Sequence, residues 1–297
     1  MIGGGVAGLS AATVAASRGH DVTLFEASHE VGGQFNLAKV IPGKEEFHET
    51  IRYFKVQLEK TGVDVRLNTR VNREQLEREG FDEVIVATGV VPRALNIEGS
   101  QAPQVLSYAE VLRGAPVGDR VAVIGAGGIG FDVSEFLLKP PHQIQPQPVN
   151  EWKREWGVDS QPDYVTEGGL QRAEVEPPVR EIYLLQRKKT TLGAGLGKTS
   201  GWVHRAQLKK HAVRMLRGVQ YKSVTDEGLW IEVDGHAQLL RVDSIVVCAG
   251  QESVKDLMPL NGENTLAQYH IIGGAKLAAE LDAKRAIREG AELAAKL

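Results

Sequence analysis

Three glycines near the start of the chain, Gly3, Gly5 and Gly8, are spaced G-x-G-x-x-G. That spacing suits a pyrophosphate. The first glycine permits a tight turn, the second lets backbone N–H groups come close, and the third lets the following helix pack on its strand. The small-residue helical pattern from Leu9 to Ser17 would point its partial positive charge and unpaired N–H donors at the phosphates. A short apolar run, Val22 to Phe25, ends at Glu26, 18 positions after Gly8 (26 − 8), where a carboxylate can accept from both ribose hydroxyls. The glycine pattern alone fits an ordinary turn. Loop, Ala-rich helix and acid-ended strand together specify a dinucleotide-binding β-α-β unit.

The same chemistry recurs 122 residues later (125 − 3), where RVAVIGAGGIGFD carries Gly125, Gly127 and Gly130 behind an intact apolar strand, Val121 to Ile124. The second strand of this unit, Arg180 to Gln186, ends without an acid; Arg187, Lys188 and Lys189 follow. Cations there fit a 2′-phosphate and so NADP rather than NAD, the alternative being a solvated basic loop. Gly197-Lys198-Thr199 is not a P-loop, because Leu192 stands where its first glycine is required. His204 beside a helix start reads as a solvated or capping residue. Cys248, ending an apolar strand, reads as a buried inert thiol.

These residues need parallel strands to position them. Two similar strands, DEVIVATG (Asp82 to Gly89) and DSIVVCAG (Asp243 to Gly250), serve the two fingerprints, and Gly89 permits close approach of a ligand. The expected fold is α/β, with two nested Rossmann-like dinucleotide-binding units, the second inserted into the first. The boundaries expected are 1–116 with 250–297 for one unit and 117–249 for the other. Only Met1 and Ile2 precede Gly3, so the first strand is expected to be truncated and the chain to be a fragment or to start internally. Lys44 to Thr61 is expected to be a helix with Phe47, Ile51, Phe54 and Leu58 on one face. Lys139 to Pro178 has no clear period and reads as a surface excursion anchored by Trp152 and Trp156. Val213 to Val247 reads as a meander. After Gly273-Gly274 a long helix is expected, its N-terminus facing a ligand.

At 297 residues the chain can bury two cores, and 35 cations against 38 acids leave a net charge of −3. No nucleic-acid surface or membrane segment is expected. One cysteine excludes an internal disulfide and a self-contained iron–sulfur cluster, and fits a reducing cytoplasm.

The stretches EVGGQFNLAK, IPGKEEFHETIRYF, DEVIVATG, RVAVIGAGGIGFDV, LLQRK, GLGKTSGWVHR, IVVCAGQE and ELDAKRAI are similar to the C-terminal half of bacterial NADPH-dependent 2,4-dienoyl-CoA reductases, relatives of trimethylamine dehydrogenase in the old-yellow-enzyme group. The nested units resemble glutathione-reductase-like flavoproteins, without the Cys-x-x-x-x-Cys of the disulfide reductases. The resemblance implies FAD in the first unit and NADPH in the second. FAD contacts would include Ala7, Glu26 on the ribose, Gln34, Lys44, and Val71 near the adenine; Gly33 and Gly89 are read from their loops as approaching the ligand, and Gly274 as facing the flavin ring or the pyrophosphate. NADPH would use the second glycine loop with Arg187 and Lys188. Trp202 matches a position placed near the acyl-CoA substrate. The family's other half, a barrel with FMN and a 4Fe-4S cluster, would be a partner in cis or in trans.

The function implied is hydride transfer from NADPH to FAD, feeding that barrel in fatty acid β-oxidation. The protein's part is to stack the two rings and exclude water, so no catalytic side chain is named. A stand-alone NADPH diaphorase and an inactive fragment are the alternatives.

Overall fold

Two residues occupy the place of a central strand. In the computed structural model, which describes residues 1–139, 147–159, 169–260, 263, 265–279 and 282–297, Ile2 bridges Phe25 on one side and Val86 on the other, both in parallel. Ile2 N–H donates to the Ile85 carbonyl at 2.9 Å, and Ala87 N–H donates to the Ile2 carbonyl at 2.8 Å. On the other side Phe25 N–H donates to Met1 O at 2.9 Å, and Gly3 N–H donates to Phe25 O at 2.8 Å. The residues ahead of Gly4 thus bond to strands on both sides, which are themselves three and four residues long.

The chain divides into two compact units, Met1–Lys39 with Lys44–Val91 and Gln251–Leu297, and Val40–Gly43 with Pro92–Gly250. The elements run α1 (Val6–Ser17), β1 (Thr23–Phe25), α2 (Phe35–Ala38), α3 (Phe47–Thr61), β2 (Asp64–Arg66), α4 (Arg73–Glu79), β3 (Glu83–Val86) and β4 (Val90–Pro92). They continue through β5 (Val105–Ser107), α5 (Tyr108–Leu112), β6 (Arg120–Ile124), α6 (Gly128–Leu138), α7 (Val149–Trp156), β7 (Glu181–Gln186), α8 (Gly201–Lys210) and β8 (Arg214–Arg217). Then follow β9 (Gln220–Thr225), β10 (Gly228–Val233), β11 (His236–Leu240), β12 (Ser244–Val247), β13 (Gln251–Ser253), β14 (Gln268–Ile271), α9 (Gly273–Lys276) and α10 (Ala283–Ala294).

In the first unit the parallel order is β2, β1, Ile2, β3, β14. Helix α1 is rich in Ala because α10 comes close: a Cβ on Gly290 would lie 2.3 Å from the Ala7 carbonyl oxygen. Ile51, Phe54 and Leu58 form the buried face of α3, as their spacing predicts, while Phe47 is partly buried. The second unit holds a five-stranded parallel sheet, β5-β12-β6-β7-β8, and an antiparallel meander, β9-β10-β11. Its core joins Ile124, Leu185 and Ile245 from the sheet to Val224, Leu229 and Ile231 from the meander.

Four expectations change. Residues 92–116 go with the second unit rather than the first, because β5 pairs with β12. Strand β8 belongs to the parallel sheet, so the meander starts later than Val213. The glycine pair Gly273-Gly274 opens a four-residue helix, and the long helix starts only at Ala283 behind its cap Asp282. The excursion contains α7; its residues 140–146 and 160–168 lie outside those described.

The Met1 amine donates to the Thr23 carbonyl at 2.8 Å, and burial pushes it down from 8.0 to about 5. Between those values the unfolded chain holds a proton that the folded chain lacks, so this group makes stability rise with pH. Urea melts of the chain beginning at Met1 should show stability increasing from pH 5 to 8. Adding a few apolar, β-branched residues before Met1 turns the amine into an amide; the slope should then shrink and the melting temperature should rise.

Candidate dinucleotide sites

Each fingerprint glycine has a separate steric reason, and the reasons repeat in the two units. A Cβ on Gly3 (φ +102°) would meet the Ala87 carbonyl oxygen at 2.4 Å; one on Gly125 (φ +109°) would meet the Cys248 carbonyl oxygen at 2.5 Å. A Cβ on Gly8 would lie 2.0 Å from Gly3 O, and one on Gly130 would lie 1.8 Å from Gly125 O. These contacts fix each loop against its strand and each helix against its loop. A Cβ on Gly5 or Gly127 meets nothing within 4 Å. Gly5 and Gly127 are also the N-caps of α1 and α6, with no side chain capping either helix. Open space thus lies beside unpaired N–H donors at the N-termini of 12- and 11-residue helices. That is the cradle a pyrophosphate requires, and it occurs once in each unit.

Around the first loop the structure places Glu26 and the glycine pair. Glu26 Oε2 accepts from Gly4 N–H at 2.7 Å, and Oε1 accepts from Ser28 N–H at 2.8 Å and Ser28 Oγ at 2.7 Å. Gly32 N–H donates to Gly4 O at 2.8 Å, and a Cβ on Gly33 would come within 2.9 Å of Gly5 Cα. The glycine pair therefore lies on the phosphate loop, with Gln34 next at the start of α2. Ala7 is buried, its methyl side against Gly273, so its N–H in the first turn of α1 is the group that can face a ligand. Val71 is buried with Ile2, Phe25 and Val86. Gly89 follows β3 with open space at its Cβ. Lys44 stands half-buried ahead of α3. Gly274 O accepts from Ser253 Oγ at 2.7 Å. The neighbouring Gly273 N–H is already bonded, at 2.7 Å, to Glu289 Oε2 on α10, a partner the sequence does not reveal.

In the second unit Gly125 N–H donates to the Leu185 carbonyl at 2.9 Å. Strands β6 and β7 are parallel, so Arg187 and Lys188 leave the same edge of the sheet as the glycine loop, and both are exposed. Lys189 instead faces Asp234 at 3.7 Å. Trp202, on α8, is 59% exposed. His204 is not merely solvated: its Nδ1 lies 2.8 Å from Glu135 Oε1, tying α8 to α6. Cys248 is buried, and desolvation pushes its thiol well above the usual range, as an inert thiol requires.

Trp152 does not anchor the excursion; it is 46% exposed. The anchor is Glu155, which is 8% exposed. Its carboxylate accepts from Gln147 (2.9 Å), Gln207 (2.9 Å) and Lys210 (3.2 Å) and faces His211 at 3.4 Å. The His211 hydrogen bond, followed by those from the amides and Lys210, holds it far below the usual carboxylate range. Trp156 contributes by accepting Lys210 Nζ over its ring at 4.2 Å. Among the described residues no His, Cys, Asp and Glu cluster could hold a metal, and no helix is long and apolar enough to cross a membrane.

The pyridine nucleotide-disulphide oxidoreductase profile matches residues 1–270. A metal reductase of Desulforamulus reducens is 29% identical over 86% of this chain and 38% of its own length. A cinnamate reductase of Clostridium sporogenes is 31% identical over 86% of this chain and 33% of its own. The solved structure of a 2-naphthoyl-CoA reductase superposes with a TM-score of 0.79 at 25% identity, covering 100% of this chain and 39% of that one. The chain thus spans about two fifths or less of each.

The two kinds of glycine should separate by mutation. Gly127→Ala should melt within about 1 kcal/mol of the parent, because its methyl enters open space at an N-cap. It should nevertheless lose nicotinamide dinucleotide binding, measured by fluorescence titration. Gly130→Ala should lose about 1–3 kcal/mol of stability in urea melts, since its methyl drives into a backbone carbonyl.

Proposed function

Because the chain belongs to the pyridine nucleotide-disulphide oxidoreductase family, we propose that it is the NADPH-oxidising module of a 2,4-dienoyl-CoA reductase or a near relative. FAD is assigned to the first unit and NADPH to the second. The observation that carries the reading is the contrast between two otherwise equal cradles. One strand ends in a carboxylate held against its loop, Glu26; the other ends in two exposed cations, Arg187 and Lys188. A carboxylate accepts from ribose hydroxyls and repels a 2′-phosphate, and cations do the reverse.

When bound, the two cofactors supply hydride transfer from a reduced nicotinamide to a flavin. The chain's own residues hold them. Gly3, Gly5 and Gly8 admit one pyrophosphate to the N-terminus of α1, and Gly125, Gly127 and Gly130 admit the other to α6. Gly33 backs the first loop, and Gln34, Lys44, Gly89 and Gly274 are assigned to the flavin side. Val71 offers its backbone to the adenine. No side-chain acid or base is assigned, and the buried Cys248 leaves no dithiol for disulphide chemistry.

Electrons would pass on to a barrel holding FMN and a 4Fe-4S cluster, in cis or in trans, in the cytoplasm. The cinnamate and 2-naphthoyl-CoA reductases among the similar proteins support a conjugated acceptor, and the second of them a CoA-linked one. Exposed Trp202 is assigned to the acyl-CoA.

Flavin released by heat should run as FAD, with no FMN, on a reversed-phase column. NADPH should bleach the flavin anaerobically and support ferricyanide reduction. A 2,4-dienoyl-CoA should not be consumed until the barrel is added; consumption by this chain alone would overturn the division of labour. Arg187→Ala should raise the NADPH KM about tenfold or more, the loss of a charge-assisted contact of about 1.5–3 kcal/mol, and leave NADH nearly unchanged. Equal loss with both nucleotides would remove the phosphate assignment.

A further inference from the structure

The Glu26 carboxylate accepts three hydrogen bonds, from Gly4 N–H (2.7 Å), Ser28 N–H (2.8 Å) and Ser28 Oγ (2.7 Å). An ionised carboxylate offers about four lone-pair sites. An adenosine ribose brings two more hydroxyl donors, which makes about five donors for four sites. One donor must leave. The two backbone N–H groups are fixed by the chain, but the Ser28 hydroxyl is not so constrained. It carries one hydrogen and has two acceptors at equal distance, Glu26 Oε1 and the Glu30 carbonyl, each at 2.7 Å. The hydrogen can turn to the Glu30 carbonyl, and Oγ then swings off Oε1, because its lone pairs would otherwise face the carboxylate at 2.7 Å.

We infer that Ser28 is a placeholder for the ribose. Its hydroxyl satisfies and orients Glu26 when no nucleotide is present, and turns to the Glu30 carbonyl when the ribose hydroxyls arrive. Ser28 then gives up a bond to a charged acceptor for one to a neutral acceptor, so it stabilises the ligand-free chain more than the FAD complex. The inference rests on the assignment of Glu26 to the ribose. It makes Ser28 a positioning residue with an unusual sign: its removal strengthens binding.

The test measures the affinity of the full chain for FAD and for FMN, which has no adenosine, by flavin fluorescence quenching. Ser28→Ala should lower the FAD Kd about two- to fivefold, the margin between charged and neutral hydrogen bonds at an exposed site, and leave FMN unchanged. It should lower the melting temperature of the ligand-free chain more than that of the FAD complex. Ser28→Thr, which keeps the hydroxyl, should match the parent. In a Glu26→Ala background Ser28→Ala should no longer affect FAD affinity. Weaker FAD binding by Ser28→Ala, or an equal change for FMN, would overturn the placeholder role while leaving the ribose assignment standing. A Glu26→Ala variant with undiminished FAD affinity would overturn the ribose assignment itself.

Discussion

Contact between a glycine and a carbonyl, made without a Cβ in the way, sets the geometry of both units. Gly3 and Gly125 turn where any side chain would strike the end of the adjacent strand. Gly8 and Gly130 then lie on the carbonyls of those same glycines. Once these two approaches are made, each helix axis is fixed relative to its sheet, and the middle glycine is left facing open space. The phosphate cradle is therefore a by-product of packing: the residues that close the loop onto the strand also aim the helix N-terminus.

Much of this was legible in sequence because it depends on local spacing. The fingerprints, the acid at Glu26, the cations at Arg187 and Lys188 and the buried face of α3 all follow from residues within one or two elements of each other. The two similar strands, DEVIVATG and DSIVVCAG, were legible as a pair because each must end in a small residue where a glycine loop arrives. Even the short first strand was visible in the sequence. What was not visible was that Met1 to Gly3 would bond on both sides, since that depends on the length of neighbours far along the chain.

Most of the differences share a cause: they rest on contacts between residues distant in sequence. Val105 to Ser107 carries no signal that says which sheet it joins; only its pairing with β12 decides the boundary. Large apolar side chains such as Trp152 and Trp156 usually anchor such an excursion. Here a carboxylate does so, because Gln207, Lys210 and His211 converge on Glu155 from another segment. Glu289 on Gly273 N–H and Glu135 beside His204 are of the same kind. Ser28 differs. It lies two residues from Glu26, and an exposed serine after an acid-ended strand is a signal that sequence reading could have used.

The division of the chain also sets an order of assembly. The second unit is almost continuous from Pro92 to Gly250, whereas the first takes β14 and α10 from the final stretch, Gln251–Leu297. During synthesis the parallel sheet of the second unit, with its own glycine cradle, is complete in sequence before the edge strand of the first sheet has been made. Helix α1, although made before the second unit, has to wait for Gly290 before the surface around Ala7 and Ala11 is covered. The earliest-made cradle is thus the last to close, and the ribosome delivers the two nucleotide sites in the reverse of their order in the chain.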